Sequence, residues 1–335
     1  MGLSYTQRMI ALSIAMVIVS FFSFFSIYSG AKTVKIAVVY SDLFEVTKAT
    51  EAFLNENNVN FELEKIRFEP TRLDEIFRKI KNDGIKVIIG PSYSEEASSM
   101  FPFLQKYGLY AVSPTVTSGA VVGKGRRIIS MCVPDSIQVR KLIDAMEKDK
   151  VTDLFVFAYT KNRVYVDPFV EMTRKNFAGT VVVVKVSKPE EITPEILEKA
   201  KEFSGILFVT PGHVAGYGVS KLEELGYAGY LYASDYALDE KLLLFDSELI
   251  KNLNVFTQVS GQLRAKKGAD FVGTYNALLF VRALIENYGR DIKAAFEKAE
   301  GFSFQGLDGP VEVHNYYADK GTSVITLEEL MTLER

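Results

Sequence analysis

The sequence predicts an α/β protein of two doubly wound lobes, each a largely parallel sheet covered by helices on both faces. Strand-like and helix-like segments alternate along the chain in two successive runs, as βαβ units do. The 335 residues exceed what one hydrophobic core organises, so two bodies are expected. Hydrophobic residues at 48% and charged residues at 24% are ordinary globular proportions. No tandem repeat, low-complexity run or flexible linker divides the two runs, so any motion is expected to be hinge closure of a compact unit.

The first run opens with the apolar strand Val34-Lys35-Ile36-Ala37-Val38-Val39 and an amphipathic helix at about 44–55. A strand at about 61–67 comes next. In the helix after it, at about 73–82, Leu73, Ile76, Phe77 and Ile80 recur at helical spacing. Val87-Ile88-Ile89 reads as a short buried strand ended by Gly90-Pro91, with a helix at about 94–107 and a strand at 109–112 after it. The second run reads as strand 154–158, helix near 168–177, strand 180–186, helix near 194–202 and strand 205–209. A helix carrying Val219, Leu222 and Leu225 stops at Gly226, and 230–233 is another strand. Beyond it lies a long helix at about 269–288 with Val272, Tyr275, Leu278, Val281, Leu284 and Ile285 on a broad apolar face. Residues 309–313 read as a late strand, and Ala318-Asp319-Lys320-Gly321 as a turn.

Location is written at the amino terminus. From Met9 to Tyr28 there is no charged residue, a run long enough to span a bilayer as a helix. Arg8 precedes it, and Ser29-Gly30-Ala31 supplies the small residues of a cleavage site. Residues 1–31 thus fit either a cleaved signal peptide or an uncleaved membrane anchor, and the chain beyond Ala31 is expected outside the cytoplasm, in the periplasm or at the cell surface.

Composition excludes several function classes. A net charge of −3 argues against nucleic acid as a partner. Two histidines, His213 and His314, and one cysteine, Cys132, are too few for a metal centre, a redox cofactor or a disulfide framework, so no cofactor is expected. Cys132, between Met131 and Val133, reads as a buried free thiol.

Several segments carry a resemblance: Val87-Ile88-Ile89-Gly90-Pro91-Ser92-Tyr93-Ser94, then Tyr110-Ala111-Val112-Ser113-Pro114-Thr115-Val116-Thr117-Ser118, then Pro134-Asp135-Ser136-Ile137-Gln138. Leu225-Gly226-Tyr227, Asp235, Tyr275-Asn276-Ala277 and Gly309-Pro310-Val311 come after them in the same order. On these segments, from about Val34 to Leu327, the chain resembles the type I periplasmic binding proteins that serve branched-chain amino-acid transporters. The resemblance implies two lobes joined by three crossovers, one from residues 32–133 and about 263–305, the other from 134–262 and about 306–335. It sets Ser94, the backbone of Thr115, and Thr117 around a ligand's carboxylate and amino group on the first lobe. Asp135 and Asp235 fall where the family keeps acidic residues that meet a ligand ammonium or line the cleft. Tyr165 falls near an aromatic of the second lobe, and His213, in Pro211-Gly212-His213, stands where many members carry an aromatic contact. One departure is the short loop Tyr40-Ser41-Asp42-Leu43, which removes part of the family's usual cleft wall.

Read without the family, the same residues admit structural roles. Ser92 and Ser94 sit where a helix N-terminus favours an anion, yet Ser92-Tyr93-Ser94-Glu95 also fits a capping box with Glu95 at its third position. Thr115 to Ser118 lies at the carboxyl edge of a strand, where open α/β sheets bind ligands, and also reads as a polar turn. Asp135 reads equally as the N-cap of a helix starting at Ser136.

The expected function is extracytoplasmic binding of a small polar solute such as an amino acid, by lobe closure, for an ABC-type uptake system, with the transporter permease as partner. In that role Asp235 holds the ligand ammonium, and its neutralisation is predicted to leave the ligand-free protein as stable or more so. The alternative is a membrane-anchored sensor or scaffold ectodomain that binds a protein partner. A minor one is a serine hydrolase, since Gly90-Pro91-Ser92-Tyr93-Ser94 approximates a nucleophile elbow with Asp235 and His314 later in the chain, in hydrolase order. The missing last glycine and the lack of an upstream Gly-Gly oxyanion motif count against it.

Overall fold

A computed structural model describes residues 33–41, 43–239, 241–245, 247–258 and 267–332. The expected signal peptide or anchor at 1–31 lies outside them. Among the described residues no helix is long and apolar enough to cross a membrane.

Two sheets organise the chain, and each strand's composition explains its place. Strands β1 (Val34–Tyr40), β2 (Phe61–Arg67), β3 (Val87–Ile89), β4 (Tyr110–Ser113) and β5 (Ile128–Ser130) form a parallel set in the order β5-β4-β3-β1-β2. Their centres are apolar on both faces because helices cover both. Ile36 and Val38 of β1 pack under α1 (Leu43–Glu56), whereas Ala37 and Val39 pack under α2 (Leu73–Asn82) and α3 (Ser94–Tyr107). The second sheet, in the order β10-β9-β8-β6-β7, is built by β6 (Asp153–Tyr159), β7 (Thr180–Val186), β8 (Gly205–Val209), β9 (Tyr230–Ala233) and β10 (Asn254–Thr257). The helices of this lobe are α4 (Asp135–Lys148), α5 (Arg163–Asn176), α6 (Pro194–Ala200), α7 (Gly212–Glu224) and the short α8 (Glu248–Lys251).

The long helix α9 (Ala269–Tyr288) returns to pack on α1 of the first lobe, and α10 (Ile292–Glu297) comes after it. Next are β11 (Ser303–Gly306), β12 (Gly309–His314) and β13 (Tyr317–Asp319), which extend the first sheet, β13 pairing with β5. Beyond them β14 (Ser323–Thr326) and α11 (Leu327–Thr332) belong to the second lobe, β14 running antiparallel to β10.

Three expectations need correction here. The chain leaves the first lobe after Asp319, not near 306, because β12 and β13 find their partners in the first sheet. The expected turn at 318–321 is therefore partly strand. Helix α5 begins at Arg163, well before Pro168, which sits inside it. The three crossovers lie between β5 and α4, between β10 and α9, and between β13 and β14.

Candidate functional site

At the carboxyl edge of the first sheet, Gly90 has φ +108, and a Cβ there would stand 2.2 Å from the Val39 carbonyl oxygen, so only glycine lets β3 turn against β1. The chain then enters α3, with Ser94 as its first residue and almost fully buried. The neighbouring loop after β4 is tied down from within. Ser113 Oγ donates to the Pro91 carbonyl at 2.6 Å and accepts from Val116 N at 3.0 Å, and Thr115 Oγ1 donates to the Ser92 carbonyl at 2.8 Å. Helix α9 seals this wall, since Gly273 lies so close to the loop that a Cβ would fall 2.3 Å from the Pro114 carbonyl oxygen.

The opposite wall comes from the second lobe. Asp235 opens a tight 3-10 turn after β9, and its carboxylate is fixed by two donors. Gln258 Nε2 donates to Oδ2 at 2.7 Å, and the Tyr165 hydroxyl lies 3.2 Å from Oδ1. The Asp235 N–H donates to Gln138 Oε1 at 3.0 Å. Gln258 also accepts from Val133 N at 2.7 Å, so one amide side chain joins the first crossover, the second crossover and the cleft carboxylate. Tyr236 meets Tyr159, Tyr165 and, from the first lobe, Tyr93 edge-on, with ring centroids 5.7 to 6.3 Å apart.

Between these walls lies a cavity of about 310 Å³, within the range of small-molecule sites. Of the residues singled out in the sequence, Ser94, Thr115, Thr117, Tyr165, His213 and Asp235 all line it. Asp135 does not. It is the first residue of α4, whose N-terminus no side chain caps, and it is buried behind the wall. Neither of its carboxylate oxygens has a hydrogen-bond partner in good geometry among the described residues. Burial pushes its carboxyl up to about 8, with the Thr117 hydroxyl opposing and the charge of Asp235 adding to the rise. Its predicted role as an N-cap fails because Pro134 holds that position.

The capping box expected at Ser92 to Glu95 does not form either. Tyr93 is the N-cap of α3, and no side chain within the helix caps it. Glu95 reaches instead to the other lobe, where Oε2 accepts from Val164 N at 3.1 Å, while Glu95 N donates to Asn162 Oδ1 at 3.3 Å. Each helix start is thus capped from the facing lobe. Next to it, Glu96 is carried up to about 7 by burial, against the pull of the Ser41 hydroxyl.

Sequence reading missed Gln138, Gln258, Tyr236, Asn162, Asp270 and Lys320. Asp270 Oδ1 lies 3.3 Å from Thr115 Oγ1, and Lys320 lines the cavity from the third crossover. The only signal for Lys320 was its place in a short polar segment. Cys132 is buried as expected, at the cavity floor, and burial raises its thiol pKa. His314 lies on β12 beside Glu312 and Glu300, half exposed and away from the cavity, so the hydrolase triad is not assembled.

Comparison with known proteins agrees with this architecture. No protein-family model matches the chain, and no curated protein matches it in sequence. In three dimensions it is similar to a leucine-binding protein from Thermotoga maritima, with a TM-score of 0.78 and 19% identity over 89% of this chain and 96% of that one. A substrate-binding protein of a branched-chain amino-acid transporter from Streptococcus pneumoniae, in complex with isoleucine, matches at 0.72 and 15% over 88% and 100% of the two chains. An ABC-transporter solute-binding protein from R. palustris, in complex with benzoate, matches at 0.75 and 14% over 88% and 95%. At these identities the likeness is one of fold. The chain has the two-lobed type I periplasmic binding protein fold, as the sequence motifs imply.

Proposed function

We propose that this chain is an extracytoplasmic solute-binding protein that closes its two lobes on a small polar ligand, an amino acid before others, and passes it to an ABC-type permease. The observation that carries the reading is that Ser94 and Thr117 of the first lobe and Asp235 of the second line one cavity of about 310 Å³. A ligand bridging them gains contacts that neither lobe offers alone, which is the thermodynamic condition for closure. In this reading Ser94, the Thr115 backbone and Thr117 take a carboxylate, Asp235 takes an ammonium, and Tyr165 and His213 shape the second wall. Asp135 acts from behind, through the polarity of the floor. The tyrosines around Tyr236 extend the candidate ligands to aromatic acids, the class seen in the R. palustris neighbour.

A thermal-shift screen with amino acids, benzoates, sugars, short peptides and polyamines tests this. A ligand at about 100 times its dissociation constant stabilises the folded state by roughly 2.7 kcal/mol. For an ammonium-bearing hit, Asp235→Asn is expected to weaken binding by about 2 to 5 kcal/mol in calorimetric titration. Its effect on the ligand-free protein reverses the sequence expectation. Because Gln258 and Tyr165 already hold the carboxylate, the substitution costs about 1 kcal/mol of stability. A protein that no small solute stabilises, or an Asp235→Asn variant that binds within threefold of the parent, overturns the reading.

A further inference from the structure

The hinge wall of the cleft carries a cation that the roles above leave unused. Lys320 stands on the third crossover and lines the cavity, its side chain only 5% exposed. Its Nζ lies 3.3 Å from Asp308 Oδ2, which is as deeply buried. Asp308 is fixed from behind, since Oδ1 accepts from Asn276 Nδ2 at 2.8 Å, and Asn276 Oδ1 accepts from Leu307 N at 2.7 Å. Asp308 does not line the cavity. The pair is therefore oriented, with its carboxylate locked into the first lobe and its ammonium toward the cleft.

Two features make this end of the pair available to a ligand. An ammonium has three donors, and among the described residues Asp308 is the one partner of Lys320, so burial leaves donating capacity that an acceptor in the cleft would satisfy. The wall beside it is also built from small groups. Gly273 precedes Asn276 by three positions on the same face of α9, Ala269 lies one turn earlier, and both line the cavity with Cys132 and Pro114. The acidic lining residues do not neutralise Lys320. Asp239 accepts from the backbone N–H groups of Gly212, Lys241 and Leu242, Asp235 is held by Gln258 and Tyr165, Asp270 lies against Thr115 Oγ1, and none of the three is within ion-pair distance of the lysine.

We propose that Lys320 anchors an anionic group of the solute at the hinge wall, so that the ligand class carries a carboxylate beyond the one facing Ser94 and Thr117. An acidic amino acid is the simplest case. The inference rests on the solute-binding reading and narrows it from polar solutes in general to acids with a second charged end.

The test is calorimetric titration of L-glutamate against L-glutamine and L-aspartate against L-asparagine, with L-leucine as a control, into the parent protein, Lys320→Met and Asp308→Asn. The parent is expected to bind an acid at least tenfold more tightly than its amide. Lys320→Met is expected to bring that ratio within threefold, by weakening acid binding more than amide binding. Asp308→Asn frees the ammonium from its counter-charge and raises the ratio. The two variants thus move in opposite directions, whereas a purely structural ion pair would lose stability in both and leave the ratio alone. A parent that binds the amides as tightly as the acids, or leucine and neither acid, overturns the proposal while the solute-binding reading stands, as does a ratio unmoved in both variants. If no solute of the wider screen binds, both fall.

Discussion

Asp135 shows how one buried carboxyl sets a pH dependence. Its folded-state value of about 8 lies far above the 3.8 of an exposed aspartate, so the folded protein holds this proton more tightly than the unfolded chain does. Stability therefore declines as pH rises from about 4 through 8, and the cost is fully present above that window. Glu96, raised to about 7, acts in the same direction. Asp135→Asn removes the larger of the two effects without changing shape. In urea unfolding measured across pH, the variant is expected to match the parent near pH 4 and to exceed it at pH 9 by on the order of 2 to 4 kcal/mol. A variant weaker than the parent at pH 9 would mean that the carboxylate is ionised and well partnered. At this scale the family resemblance, together with their place at strand ends and helix starts, put Ser94, Thr117 and Asp235 at the cavity they line, although the same chain position misplaced Asp135. The sequence was unreadable for Gln138, Gln258 and Lys320, whose chemistry depends on partners brought together only by the crossovers: Val133 and Gln258 are 125 positions apart.

At the scale of the element, apolar spacing carried the reading of the longer elements, whereas the short strands β5, β10, β11 and β14 left no such signal. Strands 61–67, 87–89, 180–186 and 205–209 and helices 73–82, 94–107 and 269–288 stand where apolar spacing predicts them. The two misplaced boundaries have a common cause. Helix α5 takes its N-terminal cap from Glu95 of the other lobe, and β13 takes its place from β5, so neither boundary is encoded locally. Helix α9 gives the sharpest test of such non-local control. In an ordinary helix interior, Gly→Ala stabilises by about 1 kcal/mol. At Gly273 the sign is expected to invert, because the added methyl would sit 2.3 Å from the Pro114 carbonyl and force helix and loop apart. Gly273→Ala is expected to cost about 1 to 3 kcal/mol in thermal unfolding, in the range of overpacked cores. An alanine that stabilises would show that the loop yields freely.

For the whole molecule, the question is what the lobes gain by meeting. Asn162 and Glu95 cap each other's helices across the cleft, Ser118 Oγ donates to the Val164 carbonyl at 2.7 Å, and Tyr93 lies edge-on to Tyr236. These contacts join residues of the two lobes, so lobe opening is expected to break them. On the proposed solute-binding function their strength is expected to be modest, since a latch worth much more than a few kcal/mol would keep the cleft shut against any solute. Glu95 is exposed and does not line the cavity, which makes it a probe of closure separate from ligand contact. Glu95→Ala leaves Val164 N without its acceptor only in the closed state, and water replaces it in the open one. The closed population then falls, and apparent affinity falls in proportion to it. For one exposed charge-assisted hydrogen bond the expected loss is about 1 kcal/mol, or roughly fivefold in affinity, for every solute alike. Small-angle scattering of the ligand-free variant is expected to show a larger radius of gyration, while each lobe's resistance to urea stays unchanged. A loss that differs between solutes would place Glu95 in ligand contact, and an unchanged radius with unchanged affinity would mean that the reciprocal caps do not govern closure.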